Sequence, residues 1–155
     1  MSAPLLNLYR RMQRWPAGSW LFSRAVCVKA PYFASIAPRI TLLEPGRCEG
    51  RIAHRRKVTN HIGTVHAIAL CNLAELTAGL MTDASIPSSM RWIPKGMQVE
   101  YVKKATGTMR GMATPEFTPE AQVAPYELPV NVQVRDRSDE IVFRARILMW
   151  VSPRR

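Results

Sequence analysis

The sequence is poor in acidic residues and has none at all in its first quarter. Its 11 Asp and Glu stand against 22 Lys and Arg, a formal net charge of +11, and no acid precedes Glu44. An excess of this size suits an anionic partner such as nucleic acid, a membrane surface or a phosphate-bearing small molecule, although it also serves solubility alone. The charge by itself does not choose among these possibilities.

Cysteines and long apolar runs are also scarce. The three cysteines, Cys27, Cys48 and Cys71, are odd in number and share no CxxC spacing, which argues against a disulfide framework or a zinc site and indicates a reducing cytoplasm. No run approaches 18 apolar residues, and the start of the chain lacks the order of a secretory signal. We therefore expect a cytoplasmic protein without stable membrane insertion.

The first 35 residues predict a helical extension. Their pattern indicates one or two short helices, broken at Pro16 and ended by Pro31. The segment is basic and amphipathic, and such segments pack on their own domain more often than on a membrane. We expect residues 1–35 to form this extension and residues 36–155 to form the main domain. A length of 155 residues is typical of a single domain overall.

The rest of the chain predicts two strands, one long helix and about four antiparallel strands. "RITLLEPGRCEGRIAHRR" places the turn Pro45-Gly46 between two extended runs. A helix follows to about Met81, with Thr64 as its N-cap. "MQVEYVKKATG" alternates like a strand, and Gly107 is expected to turn it into "TMRGMATPE". "LPVNVQVRD" and residues 141–151 predict a hairpin. This order is typical of the α+β class.

The long helix contains a single charge. From Val58 to Thr82 there is no Lys or Arg and one acid, Glu75. A helix that is apolar on every side is buried, and a buried carboxylate without a partner is costly or takes up a proton. Two interpretations remain open. In one, Glu75 faces a subunit interface or an edge and pairs with an arginine in a structural role. In the other, desolvation makes Glu75 a base that activates water.

The spacing around this acid carries a family resemblance. In "NHIGTVHAIALCNLAE", Asn60 lies six residues before His66 and Glu75 nine residues after it. This resembles the pattern "N…G…HGG…(small, apolar)…D/E" of hot-dog-fold thioesterases of the phenylacetate-degradation type. "VEYVKKATGTMRGMA" is similar to that family's strands after the helix, and "PYFASIAPRITLLEPG" to the lead-in of a little-characterised subgroup. The resemblance covers roughly residues 31–151.

The resemblance implies a hot-dog fold, in which an antiparallel sheet wraps around one long central helix. It also implies a homodimer or dimer of dimers with active sites at the interface, and hydrolysis of acyl-CoA thioesters. The backbone N–H of Ala67 would hold the thioester carbonyl, and Glu75 of the partner protomer would be general base or nucleophile. Asn60 would orient the water or the carbonyl. His66 would brace the loop and bind the substrate, and Gly63 of that loop would be among the substrate-binding residues.

Further residues complete these expectations. The family's "HGG" is "HAI" here, so Ile68 is expected to narrow the entrance. Lys103, Lys104 and Arg110 are the predicted contacts for the phosphates of coenzyme A. Asn72, one turn before Glu75, is expected to hydrogen-bond to it.

The alternative to an enzyme is a non-catalytic hot-dog protein that binds acyl-CoA or acyl groups. We expect no cofactor, and no metal site because His61 and His66 lack a third ligand nearby. We also expect no nucleic-acid partner, because the strands lack the aromatic and basic pattern of an RNA-binding sheet.

Overall fold

The structure, a computed structural model, describes residues 4–154. Two short 3₁₀ helices, Pro31–Ile36 and Arg56–Val58, accompany the main elements. In chain order these are α1 (Pro4–Met12), α2 (Gly18–Lys29), β1 (Arg39–Glu44), β2 (Arg47–Ile52), α3 (Ala67–Ser85), β3 (Met90–Tyr101), β4 (Met109–Pro115), β5 (Tyr126–Arg135) and β6 (Ile141–Pro153).

A single antiparallel sheet wraps around α3. Its strand order is β1-β2-β4-β5-β6-β3, and α3 contacts all six strands. Two glycines let the sheet approach the helix closely. A Cβ on Gly50 would lie 3.1 Å from Thr77 Cγ2, and a Cβ on Gly111 would lie 3.1 Å from Leu73 Cγ. The predicted α+β architecture, with one long helix inside an antiparallel sheet, is confirmed.

The strand pairing confirms two predicted hairpins and corrects a third. β1 pairs with β2 across Gly46, whose φ of 82° suits the turn, and β5 pairs with β6. The chain does turn at Gly107, but the strands on either side of it do not pair with each other. β3 pairs with β6, whereas β4 lies between β2 and β5. The connection from β3 to β4 therefore crosses the sheet instead of closing a hairpin.

The N-terminal helices pack against the β1 side of the sheet. α1 ends at Met12 and α2 begins at Gly18, so the predicted break around Pro16 is confirmed. Ser23 Oγ accepts a 2.8 Å hydrogen bond from Ile40 N, and Ser19 Oγ donates to Ile40 O. Leu6, Phe22 and Val26 join the hydrophobic core, among others. The division of the chain at residue 35 stays a prediction, and residues 1–3 lie outside the described part.

No helix within residues 4–154 is long and apolar enough to cross a membrane.

The opposite edge of the sheet is β3, which within residues 4–154 pairs only with β6. Pro94 lies within this strand, next to an irregularity in its pairing with β6 between Pro94 and Gly96, and prolines in sheets are confined to edge strands and bulges. Met97, Val99 and Tyr101 face the same side as the buried residues of β6, yet they are 38%, 39% and 50% exposed. The edge strand thus presents apolar side chains that nothing within residues 4–154 covers.

Candidate active site

α3 begins with a histidine cap. His66 has extended backbone angles (φ −62°, ψ 140°), and its Nδ1 accepts a 3.0 Å hydrogen bond from Ile68 N. Its own N–H donates to Val58 O at 2.8 Å, which ties the helix start to the preceding turn. The prediction of Thr64 as N-cap is therefore wrong. Thr64 is buried in the loop before the helix. Its hydroxyl oxygen accepts a hydrogen bond from Asn60 Nδ2, and its N–H donates to Asn60 Oδ1.

The first backbone N–H of α3 has no acceptor. Ile68 N donates to the His66 ring, and Ala69 N and Leu70 N donate to His66 O at 2.9 and 3.2 Å. Within residues 4–154, the Ala67 N–H forms no hydrogen bond. An unpaired amide at a helix N-terminus, aligned with the macrodipole, favours negative charge. The N–H of Ala67 is thus an unpaired donor at the position that the family resemblance implies, and its role toward a carbonyl stays a prediction.

Asn60 organises the loop before α3. Its Oδ1 accepts from Ile62 N at 3.2 Å and from Thr64 N at 3.0 Å, while its Nδ2 donates to Thr64 Oγ1 at 2.8 Å. Both ends of the amide are engaged within the loop. The structure therefore gives Asn60 a loop-forming role and does not support the expected role of orienting water or a carbonyl.

His54, which the sequence does not single out, holds this loop from the other side. Its Nε2 lies 3.1 Å from Gly63 O, and its Nδ1 accepts from Gly107 N at 3.0 Å. Gly63 and Gly107 both have a φ of 79°. The histidine thereby fastens the Gly63 loop to the crossing between β3 and β4. No sequence motif marks it, because its partners are backbone atoms, which any residue type provides, 9 and 53 residues away in the chain.

Asn72 borders a cavity of about 180 Å³ beside the start of α3. Ser35, His66 and Ile68 line the same cavity. Asn72 is 6% exposed, and its Nδ2 donates to Ser35 Oγ at 3.1 Å, but its Oδ1 has no partner within residues 4–154. The expected hydrogen bond between Asn72 and Glu75 is wrong. A buried amide oxygen without a donor costs about 1–3 kcal/mol, so this atom calls for an explanation.

Glu75 is exposed on the surface of the single chain. The expectation of a buried carboxylate is wrong for one protomer, because the sheet ends at β3 and no further strand covers this stripe of α3. Within residues 4–154 Glu75 forms no ion pair, so the interpretation that an arginine of the same chain neutralises it finds no support. The carboxylate is free to act on something outside the protomer.

Two contacts place Glu75 beside the edge strand. Cys71 Sγ lies 3.3 Å from Tyr101 Oη, and Gly79 packs so closely on Trp92 that a Cβ there would lie 2.8 Å from its ring. Glu75 lies midway between Cys71 and Gly79 on the same helical stripe. Glu75 therefore lies beside β3, next to the apolar side chains of that strand.

The hydroxyl of Tyr101 stays protonated well above neutral pH. The hydrogen bond with Cys71, followed by burial and the charge of the Cys71 thiolate, raises the pKa of Tyr101 to about 12. At neutral pH the Tyr101 side chain is thus uncharged where it contacts α3.

The predicted phosphate contacts lie around the β5–β6 turn. Lys103 pairs with Glu140, and Arg110 Nη2 lies 2.6 Å from Asp139 Oδ1. Lys104 is exposed and forms no ion pair within the described part of the chain. Two of the three cations are thus already neutralised, and a role in binding coenzyme A stays a prediction. Within residues 4–154 no three His, Cys, Asp or Glu residues are grouped so that they could hold a metal ion.

Comparisons with known proteins place the chain in a family. Residues 18–151 match the family described as Domain of unknown function (DUF4442). No curated protein sequence matches this chain. The crystal structure of genomics APC5556 is 47% identical, covers 97% of this chain and 99% of its own, and superposes with a TM-score of 0.82.

Two more distant structures share the architecture. The thioesterase HI1161 from Haemophilus influenzae is 12% identical, with 79% of this chain and 82% of that chain covered and a TM-score of 0.69. A variant of the thioesterase SAV0944 from Staphylococcus aureus is 14% identical, with 79% and 99% covered and a TM-score of 0.69. At such identities the likeness shows the fold alone. The protein has the hot-dog fold, and it belongs to the family described as Domain of unknown function (DUF4442).

Proposed function

We propose that the protein is a thioesterase that hydrolyses acyl-CoA thioesters. The observation that carries this proposal is the unpaired N–H of Ala67 at the N-terminus of α3, together with the free carboxylate of Glu75 on the same helix. A thioester carbonyl needs a donor for the negative charge that develops on its oxygen, and hydrolysis needs a base for water. The similar structures named as thioesterases agree with this chemistry.

One protomer does not bring the two groups together. Ala67 and Glu75 are eight residues apart on α3, which separates their backbones by about 12 Å along the helix axis at about 1.5 Å per residue. A carbonyl held by Ala67 lies too far from a water held by the same chain's Glu75. The site therefore requires Glu75 from a second protomer.

The free edge of β3 supports such a dimer. An exposed apolar edge strand is a surface for pairing, and a twofold interface joins the same strand from two copies. The contacts of Cys71 with Tyr101 and of Gly79 with Trp92 show that α3 and β3 run in opposite directions. Antiparallel pairing of two β3 strands makes the two α3 helices antiparallel as well. Cys71 lies midway between Ala67 and Glu75 and contacts Tyr101, so a twofold axis near that contact places Ala67 level with the partner's carboxylate.

The proposed reaction has two steps. Glu75 takes a proton from water as the water oxygen attacks the thioester carbon, and the carbonyl oxygen becomes an oxyanion held by the Ala67 N–H. Collapse of the tetrahedral intermediate breaks the carbon–sulfur bond, and the proton on Glu75 passes to the departing thiolate of coenzyme A. The products are a carboxylic acid and free thiol.

Asn72 is the proposed positioning residue for the substrate. A thioester group has no hydrogen-bond donor of its own, and the nearest donor in acyl-CoA is an amide N–H of the pantetheine arm. The buried, unpartnered Oδ1 of Asn72 would accept from that amide, and bound substrate would then satisfy the atom that lacks a partner in the free protein.

The experiment is hydrolysis of an acyl-CoA panel that spans short, long and aromatic acyl groups, with release of thiol as the readout. Glu75→Gln should lower kcat by roughly 10²–10⁴-fold, the usual range for a general base. Glu44→Gln is the matched control, since Glu44 is also exposed and forms no ion pair within residues 4–154. Equal rates for wild type and Glu75→Gln would refute the proposal. Tight binding of acyl-CoA without release of thiol by the wild type would favour the non-catalytic alternative.

A further inference from the structure

A second and larger cavity lies on the far side of the sheet from α3. It has a volume of about 500 Å³ and is formed by α2, the strands β1 and β2 with the residues next to them, and Thr108, which directly precedes β4. Three arginines line it, Arg24, Arg39 and Arg51, with Trp20 and Thr108 beside them. Among residues 4–154 no acidic residue lines it. We call it the arginine cavity.

The strand register forces two of these arginines together. Arg39 of β1 lies directly opposite Arg51 of β2. The neighbours of Arg51 in β2, Gly50 and Ile52, face the core, so Arg51 points to the outer face of the sheet. Like charges directly opposite each other on one face of a sheet are destabilising. The repulsion between Arg39 and Arg51 therefore destabilises the fold unless an anion neutralises the two charges.

Acidic side chains neutralise the arginines next to the cavity but not the three that line it. The row of outward arginines continues across the sheet from Arg51 to Arg110 and then to Arg135, and Asp139 contacts both of the latter. Within residues 4–154, Arg24, Arg39 and Arg51 form no ion pair. No acid precedes Glu44 in the sequence, so neither N-terminal helix supplies one.

The scaffold holds the third arginine in place. Ser23, the residue before Arg24, accepts a hydrogen bond of 2.8 Å from Ile40 N, which anchors α2 beside β1. The guanidinium of Arg24 lies 5.9 Å from the centre of the Trp20 ring, within the range of a cation–π contact. A helix and two strands, which are rigid elements of the fold, thus bring the three arginines to the lining of one cavity.

We propose that the arginine cavity binds the phosphate group of a phosphate monoester. Guanidinium groups match phosphate oxygens with paired N–H donors, and a doubly charged anion between Arg39 and Arg51 removes their repulsion. Trp20 is 48% exposed at the rim and offers a ring on which an attached base can stack. The proposal does not depend on thioester hydrolysis, because the cavity lies on the opposite face of the sheet from α3.

The test compares binding of AMP by wild type and by Arg39→Gln/Arg51→Gln at constant ionic strength, measured by calorimetry and thermal unfolding. AMP should raise the Tm of the wild type in a concentration-dependent way. The double variant should bind AMP roughly a hundredfold more weakly or worse, because it loses charged hydrogen bonds from two arginines to the phosphate. Its Tm without ligand should equal or exceed that of the wild type, because the repulsion is gone.

Arg144→Gln is the matched control. Arg144 also points to the outer face of the sheet, but it pairs with Glu100, so its loss should leave AMP binding unchanged. Vesicles of phosphatidylcholine with and without phosphatidic acid form a second arm, read by co-sedimentation. Loss of vesicle binding in the double variant, with no binding of AMP by the wild type, assigns the phosphate to a lipid headgroup. Equal binding of both probes by wild type and double variant would overturn the proposal, as would no binding of either probe by the wild type.

Discussion

Replacing Ala67 with proline removes one hydrogen-bond donor and almost nothing else. Ala67 is the first residue of α3, a position where proline is well tolerated because the N–H has no helical partner. Proline also restricts the preceding residue to extended angles, and His66 already has a ψ of 140°. The substitution is therefore compatible with the backbone. Within residues 4–154 the N–H of Ala67 donates no hydrogen bond that the proline would break.

The expected result is a loss of catalysis without a loss of stability. Removing one donor from an oxyanion site costs about 10²–10³ in kcat, or about 2.7–4 kcal/mol of transition-state stabilisation. The measurement is kcat on the best acyl-CoA of the panel, beside Tm from thermal unfolding. Ala67→Gly, which keeps the N–H, should retain activity close to that of the wild type. A proline variant with wild-type kcat would refute the assignment of this N–H to the carbonyl.

Three other substitutions test the surroundings of the site. His66→Ala removes the cap of α3 and should lower the free energy of unfolding by about 1 kcal/mol, or the Tm by about 2–4 °C. His66→Asn supplies another capping side chain and should keep the Tm of the wild type, so equal Tm values for both variants would contradict the capping role. Asn72→Leu removes a buried, unpartnered oxygen, so urea unfolding should show stability no lower than wild type while activity falls; a large destabilisation with full activity would oppose this account. Cys71→Ala should lower the pKa of Tyr101 from about 12 toward its ordinary value, seen as tyrosinate absorbance at lower pH; an unchanged titration would show that the thiol contact is not its cause.

The sequence predicted the elements of this fold better than their pairing. The hairpins β1–β2 and β5–β6 follow from local signals, namely a turn dipeptide or alternating valines, and such signals act over a few residues. The partners of β3 and β4 depend on the whole sheet, and no local pattern encodes them. Pro94 did contain a clue, since a proline inside a strand indicates an edge, and β3 is an edge strand.

The candidate site was predicted in part. The low charge of residues 58–82 correctly indicated a buried helix, but it could not show that the stripe containing Glu75 lies beyond the last strand of the sheet. Composition describes a helix as a whole, whereas exposure is decided residue by residue by what packs on each face. The surroundings of Asn72 are hidden from sequence for the same reason. Its partner, Ser35, lies 37 residues away in the chain, and its unsatisfied oxygen is visible only once the fold is known.

The central claim is that each active site joins the Ala67 N–H of one protomer to the Glu75 carboxylate of its partner, and mixing of inactive subunits tests it most directly. Glu75→Gln and Ala67→Pro, each inactive alone, are refolded together and assayed for thiol release. Random pairing makes half of the dimers mixed, each with one intact site, so about a quarter of wild-type activity should return. A mixture as inactive as its two components would contradict the shared site.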